Sequence, residues 1–164
     1  MHKKIDNKIE RISIAGATAR LSPLALHKYA KDFLRAGISL EASCVPFWPV
    51  QYYLLARAVE LALKAFLSAN GITLKELAGR KYGHSLGSKH VEIRGDAAKF
   101  GGTKKLHNEE IARADKYYSE KVFEYPAISE AIEGYPQKPN LVVLRSAAEL
   151  LVIRLEALCL DAAS

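Results

Sequence analysis

His84 stands four positions after Arg80 in Arg80-Lys81-Tyr82-Gly83-His84. That pair sets an imidazole titrating near neutral pH beside a fixed cation. With a carboxylate to orient the ring, such a set can move a proton while Arg80 or Lys64 stabilises charge on a phosphate, and Glu60 is the first carboxylate to consider. A histidine that follows glycine where a helix begins also serves as a cap or packing residue, and that structural role is the expectation for His84.

A second constellation lies upstream. Arg57, Glu60, Lys64 and Ser68 fall within a stripe of about 80° on a helical wheel whose other positions are almost all apolar. The spacings i,i+3 and i,i+4 suit ion pairs, so the stripe is either an exposed seam or the charged wall of a groove. Charge elsewhere is uneven. Of a net +6, the segment from Ile72 to His107 carries eight cations against three anions. Lys81, Lys89 and Arg94 in this segment, together with Arg57 and Lys64, are the candidate phosphate contacts. Other chemistries lack their motifs. Ser88 separates Gly87 from Lys89, so there is no phosphate loop, and His84, His90 and His107 lack the spacing of a helical zinc pair. Neither a metal nor a cofactor is expected.

The elements that must position these residues read as helices. Ser22-Pro23 is an N-cap with proline at the first helical position, opening a helix that runs through Arg35 with Gly37 as its stop. Pro49 to about Asn70 forms a longer one ended by Gly71, with Phe47 and Tyr52 spaced as a hydrophobic staple. Thr73-x-x-Glu76 is a capping box for a short turn that ends at Gly79. A third helix starts at Gly83-His84-Ser85-Leu86 and runs toward Phe100, with Gly101-Gly102 beyond. Asn108 starts a fourth with Ile111, Ala114, Tyr118 and Val122 on one face, and a last helix covers about Asn140 to Leu160. Alternation of the kind that marks strands is scarce apart from Ile12-Ser13-Ile14. The fold class expected is an all-α, up-and-down bundle of about five helices in one domain over residues 1–164, with 1–20 as a loosely packed segment.

On the last helix Arg145, Glu149 and Glu156 share one side, while Arg154 projects among Val143, Ala147, Leu150, Leu151 and Leu158. A buried Arg154 would need a carboxylate, with Glu60 the first candidate, unless its stem snorkels to the bundle end. Cys44 and Cys159 sit among apolar residues without a second thiol at metal or redox spacing and are expected to be inert. The apolar runs are interrupted by charges, and the first fifteen residues show no signal-peptide pattern, so a cytoplasmic protein without a membrane span is expected.

Taken in order, Glu60-Leu61-Ala62-Leu63-Lys64, Gly71, Lys81-Tyr82-Gly83-His84-Ser85-Leu86, Tyr117-Tyr118 and Phe123-Glu124-Tyr125-Pro126 resemble the pattern of HEPN-domain proteins over about residues 50 to 160. The resemblance implies a helical bundle, frequently dimeric, in a superfamily of metal-independent ribonucleases, toxin components and non-catalytic nucleic-acid or nucleotide-associated modules. The nuclease members place Arg and, four to six positions later, His on a late helix, whereas the last helix here has Arg145 and Arg154 and no histidine. The expectation is therefore a binding or interaction module for RNA, a nucleotide or another phosphate-bearing ligand. One alternative is a toxin-type metal-independent endoribonuclease using His84 as base, Arg80 as phosphate clamp and Glu60 as orienting carboxylate. Another is a structural subunit of a toxin and antitoxin pair, with an antitoxin-like protein as partner. A homodimer is expected, with the Phe47-Trp48-Pro49 loop as its contact.

Overall fold

The computed structural model describes residues 22–42, 49–79, 82–83, 85–86, 105–125, 128 and 137–162. Among them the chain is all-α, with five helices and no strand: α1 (Pro23–Ala42), α2 (Pro49–Ala69), α3 (Leu74–Ala78), α4 (Lys105–Tyr118) and α5 (Leu141–Asp161). The expected strand-like Ile12–Ile14, the helix toward Phe100, Gly101-Gly102, Phe47, Trp48 and Cys44 lie outside the described residues.

The helix ends follow the local chemistry. Ser22 Oγ accepts from the Ala25 amide at 3.1 Å, which caps α1 ahead of Pro23. Gly71 takes φ +93, and the Ile72 amide reaches back to the Leu67 carbonyl at 3.0 Å, closing α2 in the manner of a Schellman turn. Thr73 and Glu76 form a reciprocal capping box on α3. Asn140 Oδ1 accepts from the Val143 amide at 3.2 Å to start α5.

Two boundaries differ from expectation. Gly37 does not stop α1, which continues to Ala42; a Cβ at Gly37 would lie 3.0 Å from a Leu55 methyl, so glycine here lets α1 approach α2 closely. Helix α4 begins earlier, at Lys105, and ends at Tyr118. Val122 therefore lies beyond it, in a turn where Lys121 has φ 59.

Helix α2 is the centre of the bundle and touches each of the other four helices, while α5 packs against α1, α2 and α4. Leu55, Val59, Leu63 and Phe66 of α2 meet Leu144, Leu151 and Leu155 of α5 in a continuous buried cluster. Two polar ties fix how these helices cross. His27 Nε2 donates to the Val152 carbonyl at 2.7 Å, holding α1 to α5, and the Tyr52 hydroxyl donates to the Pro139 carbonyl at 2.9 Å. No helix of the described residues is long and apolar enough to cross a membrane.

Candidate ligand groove on the central helix

The charged stripe of α2 does not form a solvent-exposed seam. Glu60 is fully buried, Lys64 is 16% exposed and Arg57 27% exposed at the side chain. Burial of a carboxylate is tolerable only when its charge is compensated, and Glu60 has two hydrogen-bond donors on Oε2 and a lysine ammonium ion-paired with Oε1. Arg57 Nη1 donates to Oε2 at 2.5 Å, the Tyr118 hydroxyl donates to the same oxygen at 2.5 Å, and Lys64 Nζ pairs with Oε1 at 2.7 Å. Arg57 also reaches the Tyr118 oxygen at 3.5 Å. Helix α2 thus supplies three members of the network one turn apart, and α4 supplies the fourth.

The electrostatics follow from that packing. Desolvation works against the charged Arg57, but the adjacent Glu60 carboxylate and the Tyr118 hydroxyl outweigh it and hold the guanidinium above its ordinary value. Burial, then the negative charge and hydrogen bond of Glu60, push the Tyr118 hydroxyl well above the usual phenol range. Tyr118 therefore stays protonated and acts as a donor.

Above this network lies a groove of about 420 Å³ between α1, α2 and α3. Its α2 wall presents Arg57, Leu61 and Lys64, and its α1 wall presents Leu26, Tyr29 and Phe33. Leu74, Leu77 and Ala78 of α3 close the third side. The Arg57 guanidinium carbon sits 5.9 Å from the Phe33 ring centre, within cation–π range. Tyr29 is half exposed at the mouth, with 52% of its surface open. The arrangement offers an apolar and aromatic channel with two cations on one wall.

The sequence-derived candidates divide accordingly. Arg57, Glu60 and Lys64 come together, with Glu60 beneath the groove and the two cations lining it. Arg80, Lys81, His84, Lys89 and Arg94 lie outside the described residues. The neighbouring turn is anchored nonetheless: Asp115 on α4 accepts from the Leu86 amide at 2.6 Å and from the Ser85 hydroxyl at 3.4 Å, so this segment of the Gly-His-Ser-Leu turn is tied to the helix that carries Tyr118.

Arg154 does not pair with Glu60. It lies on the exposed side of α5, because the packed face centres on Leu144, Ala148, Leu151 and Leu155 and leaves Arg154 past its border. Two further buried polar groups escaped the sequence reading. Glu110 is 2% exposed and accepts from the Asn140 amide and Arg113, both at 2.7 Å, which docks the start of α5 onto α4. His107 sits on the same face of α4, with Nε2 3.4 Å from the Ser146 hydroxyl. Both occupy the 3–4 spacing of the apolar face with Ile111 and Ala114, and that position was the available signal. Among the described residues no group of three or more His, Cys, Asp or Glu is placed to hold a metal ion.

Comparison with models of known families, with curated proteins and with solved structures finds no match to this chain.

Proposed function

We propose that the chain is a HEPN-like binding module that receives a phosphate-bearing ligand, RNA first among the candidates, in the groove between α1, α2 and α3. The observation that carries this reading is the position of Arg57 and Lys64 on one wall of an otherwise apolar channel. Two cations share one buried carboxylate, so the network keeps one formal positive charge, and an entering phosphate oxygen meets net attraction in a partly desolvated setting. Tyr29 and Phe33 supply flat faces on which a base can stack without sequence preference. The basic residues Lys81, Lys89 and Arg94 extend the same charge along the sequence for further phosphates.

The ribonuclease alternative asks Glu60 to orient a catalytic base. Its carboxylate is buried and already receives Arg57, Tyr118 and Lys64, which favours binding over catalysis.

The test is fluorescence anisotropy of a labelled single-stranded RNA over a range of salt concentrations. Affinity should fall steeply with salt, and the pair Lys81→Glu and Lys89→Glu should weaken binding for every sequence tried. Tyr29→Ser, which leaves the Glu60 network intact, and Lys64→Gln should each weaken it as well. Unchanged affinity in both groove variants would refute the groove as the binding site.

A further inference from the structure

The groove between α1, α2 and α3 holds more aliphatic surface than phosphate recognition uses. Leu26, Leu61 and Leu77 line it while being only 5%, 6% and 2% exposed, so they form its floor, and Leu74 adds to the α3 side. Leucine side chains neither donate nor accept hydrogen bonds, so a ribose laid on that floor would leave its hydroxyls unmatched. An alkyl chain leaves nothing unmatched there and removes apolar surface from water on both sides.

The cationic wall is equally particular. Arg57 Nη1 bonds one oxygen of Glu60 and Lys64 Nζ pairs with the other, so a single carboxylate sets the spacing of the two cations. Arg57 makes its hydrogen bonds to Glu60 and Tyr118 through Nη1, and its planar fork has further N–H groups on Nη2 and Nε. Since both side chains line the groove, a second carboxylate on the groove side can bridge the same pair. Two cations less one buried carboxylate leave one positive charge, which a monoanion neutralises. We propose that the groove binds a free medium- or long-chain carboxylate, its head on Arg57 and Lys64 and its alkyl tail along the leucine floor. At about 420 Å³ the space falls on the small-molecule scale of ~300–1,000 Å³.

Each methylene laid on the floor tightens binding by about three- to fourfold until the groove is filled. A neutral head of the same length forfeits the ion pair and binds about tenfold more weakly or worse. An RNA phosphate would meet the same two cations, so the carboxylate and RNA compete, and the RNA affinity follows the level of free carboxylate. Only this competition rests on the reading of the groove as the RNA site; the carboxylate site follows from the leucine floor and the cation pair.

Isothermal titration calorimetry of the full chain with octanoate, decanoate and dodecanoate, each below its micellar concentration, tests the proposal, with far-UV circular dichroism confirming that each variant is folded. Affinity should rise roughly tenfold for every two methylenes across the series, and decanol should bind about tenfold more weakly than decanoate or worse. Ala78→Trp, at an exposed position of α3 that lines the groove, should fill the space and weaken decanoate by about tenfold or more. Lys64→Gln should weaken decanoate and narrow its advantage over decanol. The proposal is overturned by the absence of saturable binding, by affinity independent of chain length, by decanol bound as tightly as decanoate, or by decanoate binding indifferent to Ala78→Trp. The RNA reading is judged separately, from the anisotropy of labelled RNA as decanoate is added. Displacement supports a shared groove, whereas RNA that stays bound at saturating decanoate refutes the groove as the RNA site and leaves the carboxylate site standing.

Discussion

Helices α2 and α5 have the same length and are apolar over most of their circumference, but they dispose of their charges in opposite ways. In α2, surrounded by four helices, the carboxylate of Glu60 is folded inward and its two cations open on a groove. In α5, which the described helices pack on one side, the charges lie outward and Val142, Ile153 and Leu160 lie outward with them. On average the two helices are equally apolar. What differs is how many neighbours surround each helix: a central helix must neutralise any polar group it carries, whereas a peripheral one can leave both charge and apolar surface to water or to another molecule.

The contrast can be broken by mutation. The largest effect is expected from Glu60→Ala, which leaves Arg57 and Lys64 without their carboxylate; urea unfolding should show a loss of about 3–5 kcal/mol, while Arg154→Ala stays within ~0.5 kcal/mol. Equal losses in the two variants would mean that Arg154 shares the network. Tyr118→Phe removes one charge-assisted hydrogen bond to the same carboxylate and should cost about 1.5–3 kcal/mol.

A smaller effect appears at alkaline pH. Burial on α5 pushes the Cys159 thiol up to about 11 from an ordinary value of 9.0. The folded state thus holds a proton that the unfolded chain releases above pH 9, so this thiol's contribution is complete below that pH and declines as pH rises toward the folded value. The stability gap between wild type and Cys159→Ala should narrow by about 1 kcal/mol between pH 8 and pH 10. A gap independent of pH would show that the thiol is not desolvated. Smallest of all, Ile153→Glu should leave the stability within ~0.5 kcal/mol, because its side chain already faces water.

Much of the helical frame was legible from local chemistry. Ser22-Pro23, the Thr73–Glu76 capping box, Gly71 and Asn140 each act within a few residues of themselves, and the structure places them as caps and stops. Gly37 misled for a tertiary reason: it reads as a helix end, but its missing side chain makes room for Leu55 from a helix far along the chain. Of the groove, the stripe of Arg57, Glu60 and Lys64 was legible by its spacing, whereas the Tyr118 hydroxyl was hidden inside an apolar pattern that counted only its ring. The walls from α1 and α3 were invisible, since nothing local says that Tyr29 and Phe33 face Lys64. Arg154 failed similarly: a wheel ranks its neighbours by polarity but cannot say where the packed arc ends.

The most direct measurement of the central claim is methyl-resolved NMR of leucine- and valine-labelled full-length protein, titrated with a short single-stranded RNA at low salt. If Arg57 and Lys64 receive phosphate in the groove, the methyl resonances of Leu26, Leu61, Leu74 and Leu77 should shift progressively and saturate together, and those of Val142 and Leu160 should stay in place. Saturable RNA binding that leaves all four groove leucines unmoved would contradict the assignment of the groove as the ligand site.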